Sequence, residues 1–287
     1  MHVGLLTAPF GKKSFEEVCS WAGKNHFAAL EVTLGHLPSD KVLARGGAKA
    51  TRALLKRHKL EISALAAYMN ILPTDLAERK KNLTMLRAAI DAASALEVKT
   101  VCTLAGFPLP GKTKMQTIEQ DLPGTLGPLL EHAAGKGVQI AFENWFETNI
   151  QHLDHWRRLF EVVPQKNLGL NYDPSHLFWM GIDHIGAVYE FRDRIFHSHA
   201  KDVEILDWKL KRLGVREGGW WRYVIPGFGR IPWGEYIAAL RQIGYDDVLS
   251  IEHEDSSVDA ESGFLKGREH LEQLIGSSRT PSTERGH

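Results

Sequence analysis

The sequence has little that would cross-link it, anchor it or give it a net charge. Only two cysteines, Cys19 and Cys102, occur in 287 residues. They form no short-spaced metal pair and no disulfide framework, so a reducing compartment, the cytoplasm, is expected. No apolar run approaches the ~20 residues that a bilayer crossing needs. Met1 to Phe10 has neither a basic region nor a long apolar segment, so no secretory signal is expected. Charge of either sign is not in excess, since 35 Lys plus Arg balance 35 Asp plus Glu. That balance argues against a chain that holds nucleic acid or a membrane surface mainly by charge. Gly-rich phosphate loops and a dinucleotide glycine fingerprint are also missing. Gly227 and Gly229 form a lone Gly-x-Gly after Pro226, which reads as a turn.

What remains is ordinary globular composition, 43% hydrophobic and 24% charged, arranged as a repeat. Short apolar runs alternate with longer amphipathic ones. Strands are expected at 3–7, 28–33, 61–67, 99–105, 138–143, 168–173, 195–200 and 247–252. Helical patterns follow each. Ser14-x-x-Glu17 is a capping box, and Asp75-x-x-Glu78 caps a long helix to about Leu96, with apolar positions at Leu76, Leu83, Leu86, Ile90 and Ala93. Eight β/α units, and a length near the ~250 residues typical of such folds, point to a single (β/α)₈ TIM barrel over 1–276. A polar tail, 277–287, follows. The loop between strand seven and its helix, 203–231, is unusually long.

Active sites of such barrels gather where strands end. Alternation along the fifth strand puts Val138, Ile140 and Phe142 outward and Glu143 inward. The same parity turns Asp173 inward at the end of the sixth and Glu252 at the end of the eighth. The seventh, Ile195-Phe-His-Ser-His199, is ambiguous; if Phe196 faces the helices, His197 and His199 both point in. Three acids meeting unpaired would repel one another, and a divalent cation removes that conflict. Glu, Asp, His and Glu are oxygen and nitrogen donors without thiolate. They suit Mn²⁺, Mg²⁺, Co²⁺ or Zn²⁺. The bland alternative pairs each acid with a neighbouring Lys or Arg.

The segments Ala141-Phe-Glu-Asn144, Tyr172-Asp-Pro-Ser-His176, His199-Ala-Lys-Asp202, Pro226-Gly-Phe-Gly229 and Ser250-Ile-Glu-His253 resemble the xylose-isomerase-like sugar isomerase/epimerase superfamily. The likeness runs over nearly the whole chain and is densest from Val138 to Asp255. It implies metal ligands at Glu143, Asp173, His199 and Glu252, with Mn²⁺ foremost, and a substrate-binding histidine at His176. Lys201 and Asp202 are candidates for substrate binding or for orienting a ligand. His197 is another such partner or a barrel-filling residue, the latter being favoured. Glu31, inward at the end of the second strand, is a candidate for substrate hydroxyls, and Asn70 a weaker one. The 203–231 insertion holds Trp208, Arg216, Trp220, Trp221, Arg222 and Tyr223. It reads either as a lid, with Arg222 reaching a substrate oxygen, or as an oligomer contact. Trp145 is a candidate for the pocket wall.

The resemblance implies enolisation beside a carbonyl, with Glu143 and Glu252 as base and acid. Returning the proton to the same carbon epimerises, returning it to the next isomerises, and a β leaving group makes the enzyme a lyase or hydratase on an inosose or 3-keto-glycoside. A sugar or keto-sugar isomerase or epimerase is the first expectation, with a small-molecule sugar as partner. An apurinic-site endonuclease needs more histidines at the rim and a basic face. A non-catalytic sugar-binding barrel predicts a broken ligand set. A homo-oligomer is compatible with the outward helix faces.

Overall fold

The computed structural model describes residues 1–277. Eight parallel strands close a barrel: β1 (His2–Leu6), β2 (Ala29–Thr33), β3 (Glu61–Ala66), β4 (Thr100–Leu104), β5 (Gln139–Glu143), β6 (Leu168–Tyr172), β7 (Ile195–Ala200) and β10 (Val248–Ile251). Each pairs with its neighbour in chain order, and β10 closes on β1. The numbers β8 (Asp202–Ile205) and β9 (Trp221–Val224) belong to an antiparallel hairpin outside the barrel.

The helices begin where the sequence supplies caps. α1 (Phe15–Lys24) opens on Ser14, whose hydroxyl accepts from the Glu17 amide while the Glu17 carboxylate accepts from the Ser14 amide. α4 follows over Leu76–Leu96 once α2 (Ser39–Leu43) and α3 (Gly47–His58) are placed, and Asp75 caps it. Its Leu86, Ile90 and Ala93 are buried against the barrel, but Leu76 lies outside the packed face and is 74% exposed. α5 (Lys114–Gln120), α6 (Leu122–Gly135), α7 (Leu153–Val162), α8 (Pro174–Trp179), α9 (Gly186–Glu190), α10 (Asp207–Leu213), α11 (Trp233–Gln242) and α12 (Ala260–Ser277) complete the set. The expected tail starts at the last residue of α12, and 278–287 lie outside the described residues.

The core lies between strands and helices, where residues such as Ile140, Phe142, Leu170, Trp156 and Tyr236 are inaccessible to solvent. Removing this much apolar surface from water is the main stabilising term, at ~25 cal/mol per Å². The barrel interior is different. It holds small side chains, Ala64, Cys102 and Ala141, with Phe196 packed on them. Phe196 therefore does not face the helices. The register between β6 and β7 shifts at Leu170/Asn171, pairing Leu170 with Ile195 and Asn171 with His197. This bulge adds a residue to β7, so that Phe196, His197 and His199 all turn inward. Gly169 makes room, since a Cβ there would sit 2.6 Å from the Phe196 ring.

The 203–231 insertion is ordered. β8 and β9 pair from Asp202–Val224 to Ile205–Trp221, and α10 caps the far end. No helix among the described residues is long and apolar enough to cross a membrane.

Candidate metal centre

Four strand ends bring Glu143, Asp173, His199 and Glu252 together, with one ligand atom of each within 4.8 Å of all the others. Each is held by its own chain. Asp173 follows β6 directly and caps α8, its Oδ1 accepting from the Ser175 amide at 2.8 Å. The Asn144 side chain clamps the Asp173 backbone, accepting from its amide at 2.7 Å and donating to its carbonyl at 2.9 Å. Asp173 Oδ2 is left to face the cluster. His199 turns Nε2 down to Glu31 Oε2 at 2.9 Å, so that Nδ1 faces Asp173 Oδ2 at 3.8 Å and Glu252 Oε2 at 2.9 Å.

Asp173 Oδ2 and His199 Nδ1 are both buried and neither makes a well-directed hydrogen bond, although Lys201 Nζ stands 3.2 Å from the first and Glu252 Oε2 2.9 Å from the second. Buried polar atoms in that condition are rare and costly. The electrostatics favour a cation. Burial alone would lower the His199 pKa, but Glu31 and Glu252 more than reverse it, and the net shift is well upward. Lys201 behaves alike: burial opposes its charge, yet Asp173, Glu252 and Glu254 raise it well above a free lysine. Glu252 itself is held down at about 2, burial being outweighed by Lys201 and His199. Three carboxylates and an imidazole, two of them with under-bonded atoms aimed at one point, fit a hard or borderline divalent ion.

A second cluster, Glu31, Cys102 and His197, lies one layer deeper with equally close donors. It does not fit a metal. Glu31 Oε1 accepts from Tyr68 at 2.6 Å, and its Oε2 accepts from Ser250 at 2.9 Å as well as from His199. His197 bonds Asn171 Oδ1 at 2.8 Å and Ser63 Oγ at 3.1 Å. Burial, and then Glu31, push the Cys102 thiol well above its ordinary pKa, so it offers no thiolate. Glu31 therefore sits beneath the centre and does not line the pocket, which corrects its expected contact with substrate hydroxyls. Its partners are His199, Tyr68 and Ser250. His197, expected mainly as filler, is a hydrogen-bonded member of this layer.

A cavity of about 420 Å³ opens above the four residues. Glu143, Glu252, Glu254, His176 and Lys201 form its floor, and Trp145, Phe146, Trp221 and Tyr223 its walls. Trp145, His176 and Lys201 thus line the cavity. Lys201 Nζ lies 2.7 Å from Glu252 Oε2, 3.2 Å from Asp173 Oδ2 and 3.3 Å from Glu254 Oε2.

Asp202 and Arg222 are elsewhere. The buried Asp202 carboxylate accepts from the amides of Gly227, Gly229 and Ile231 and from Trp233 Nε1, at 2.8 to 3.2 Å. It staples the insertion to the barrel and leaves nothing for a substrate. Gly229 is required there, because a Cβ would stand 2.3 Å from Asp202 Oδ1. In β9 alternate residues take opposite faces. Trp221 and Tyr223 face the cavity, which puts Arg222 on the other side with Glu204 Oε2 at 2.5 Å and Asp255 Oδ1 at 3.0 Å. Asn70 closes a turn through the Leu72 amide at 2.9 Å. Sequence reasoning had Tyr223 only as one aromatic of a possible lid, and it missed Glu254 as a cavity residue and Asn144 as the clamp. The alternation in Trp221-Arg222-Tyr223 carries the signal for the first, once the segment is taken as a strand.

Comparison with known proteins then places the chain. Residues 19–274 match the family model described as xylose isomerase-like TIM barrel. The chain belongs to this family. The uncharacterized YfiH protein of Bacillus subtilis (strain 168) is 29% identical over a 316-residue alignment that takes in 96% of this chain and 99% of that protein. An inosose dehydratase of Geobacillus thermodenitrificans is 30% identical, but the match takes in 53% of each chain, so this chain spans about half the length of that relative. Among solved structures, that of the IOLI protein with a zinc atom superposes with a TM-score of 0.76 at 19% identity, over 96% of this chain and 99% of that one. This last likeness is one of fold.

Proposed function

We propose that the protein is a divalent-metal-dependent isomerase or epimerase of a sugar or keto-sugar, working by proton transfer next to a carbonyl. One observation carries the reading. Asp173 Oδ2 and His199 Nδ1, buried and without a well-directed hydrogen bond, face each other among two further carboxylates on the floor of an aromatic-walled cavity. Glu143, Asp173, His199 and Glu252 would hold the ion. It supplies Lewis-acid polarisation of a carbonyl, which makes the neighbouring C–H acidic.

The chain's own residues do the rest. Glu143 and Glu252 reach the floor from β5 and β10, which stand apart around the barrel. They are placed to take a proton on one face of a substrate carbon and return it on the other. His176 and Lys201 offer N–H groups to substrate oxygens. Trp145, Phe146 and Trp221 present ring faces and edges to a sugar ring and exclude water. The donor set suits Mn²⁺, Mg²⁺, Co²⁺ or Zn²⁺, and Mn²⁺ is put first on the resemblance alone; the zinc-bearing IOLI structure supports a metal in this fold.

The second reading is a lyase that expels a β leaving group from the same enolate, acting on an inosose or 3-keto-glycoside. The matching half of inosose dehydratases favours it. Proton NMR in D₂O, with metal-loaded protein and a panel of ketoses, inososes and 3-keto-glycosides, tests both. Exchange of a C–H beside a carbonyl is expected, and the product separates epimerase, isomerase and lyase. No exchange with any of them, in protein shown to hold metal, sinks both readings.

A further inference from the structure

The hairpin insertion reaches the floor of the cavity through one residue. Tyr223 Oη lies 2.7 Å from His176 Nδ1, and the face of its ring lies 4.4 Å below the Lys201 ammonium. Trp221 and Trp179 stack behind it with ring centres 4.3 Å apart and planes inclined by 15°. One tyrosine thus touches both nitrogen-bearing side chains of the cavity floor.

The hydrogen on the His176 ring follows from the atoms that face its two nitrogens in the neutral ring. Nε2 faces Glu143 Oε1 at 3.2 Å and Asp173 Oδ2 at 3.5 Å, and Lys201 Nζ at 3.4 Å. A lysine ammonium has three N–H donors and no acceptor. Lys201 has three carboxylate partners, Glu252, Asp173 and Glu254, all nearer than His176. Its contact with Nε2 is also longer than that of Glu143 Oε1, a carboxylate oxygen that can only accept. Nε2 therefore faces acceptors and carries the hydrogen, which leaves a lone pair on Nδ1. A phenol can give its hydrogen to that lone pair, and burial keeps the Tyr223 hydroxyl protonated by pushing it above the usual phenol range.

We propose that Tyr223 is a positioning residue: its hydroxyl donates to His176 Nδ1, fixing the tautomer whose Nε2–H points into the cavity and donates to a substrate oxygen. The insertion is then a working part of the site and not an appended surface. The catalytic part of this proposal rests on the enolising function proposed above; the tautomer part stands without it.

The test uses full-length protein loaded with Mg²⁺ and labelled with ¹⁵N in histidine. Long-range ¹H–¹⁵N spectra report which ring nitrogen bears hydrogen, and H176Q identifies the His176 signals. The expected wild-type spectrum has Nε2–H and an unprotonated Nδ1. In Y223F the ring still covers Lys201, but the Nδ1 resonance should move toward that of a nitrogen without a donor. With whichever sugar undergoes exchange, kcat should fall roughly tenfold or more, while Mg²⁺ affinity stays unchanged. An Nδ1–H tautomer in the wild type overturns the proposal without any variant. A Y223F spectrum identical to wild type overturns the role of Tyr223. Normal kcat in a Y223F protein whose Nδ1 has shifted overturns the catalytic part alone. A wild type that turns over no sugar yet shows the expected tautomer and Y223F shift refutes the enolising function, not the positioning of His176.

Discussion

At the rim of the barrel, Asp173 Oδ2 and His199 Nδ1 are buried without a well-directed hydrogen bond. One layer below, Glu31 accepts three hydrogen bonds and both nitrogens of His197 are engaged. The residue types are the same, carboxylate and imidazole, and both layers are out of solvent. What differs is completion. The lower layer satisfies itself and contributes rigidity. The upper layer has donors left over, and that surplus is what a metal and a substrate can use. His199 joins the two, with Nε2 in one and Nδ1 in the other.

The largest expected effects lie at the rim. Chelation by EDTA should abolish turnover, with Mn²⁺ or Co²⁺ restoring it; an enzyme indifferent to the chelator would remove the distinction between the layers. Glu252→Gln should lower kcat by about 10²–10⁴-fold and also lower the melting temperature of the metal-free protein, because buried Lys201 and His199 lose the carboxylate that pairs with them. Retained activity would end the role of Glu252 as ligand and proton-transfer group.

Next comes the link between layers. Glu31→Gln keeps an acceptor for His199 Nε2 but removes the charge behind the imidazole. Metal affinity, measured by calorimetric titration with Mn²⁺, should fall roughly 10- to 100-fold. If Glu31 instead touched substrate, KM for the sugar would rise and metal affinity would not change. One step further down, Ser63→Ala leaves His197 Nε2 without its partner. It should cost about 1–3 kcal/mol in urea unfolding and leave metal affinity near wild type. A loss of metal binding with unchanged stability would mean that the lower layer is functional in its own right.

The sequence shows the rim more clearly than the layer beneath, for a physical reason. Glu143, Asp173 and Glu252 each end a regular strand, so period-two alternation places them. In β7 the alternation fails at Phe196, because the bulge between Leu170 and Asn171 is set by packing across strands. No local pattern announces it. The lower layer is assembled from β2, β6, β7 and β10 together with Tyr68, whose hydroxyl meets Glu31 across 37 positions. Asp202 is a similar case. Its partners Gly227, Gly229, Ile231 and Trp233 follow it by 25 to 31 positions. A carboxylate next to a metal-ligating histidine motif therefore reads as a substrate contact until the loop that returns to it is seen.

The smallest effect is expected at Arg222, and it tests whether the hairpin has two faces as distinct as the two layers. The Arg222 side chain is 43% exposed, and it pairs with Glu204 and Asp255 on the side away from the cavity. An ion pair that open to water contributes about 0–1 kcal/mol. Arg222→Ala should therefore leave KM and kcat for the sugar near wild type and soften the hairpin only slightly in hydrogen exchange. Its neighbours in β9 should behave otherwise. Trp221→Ala removes a cavity wall and should raise KM. A KM increase in Arg222→Ala equal to that in Trp221→Ala would mean that the hairpin turns over when substrate binds, bringing the guanidinium to the sugar, and that its alternation does not sort its residues into a working face and a solvent face.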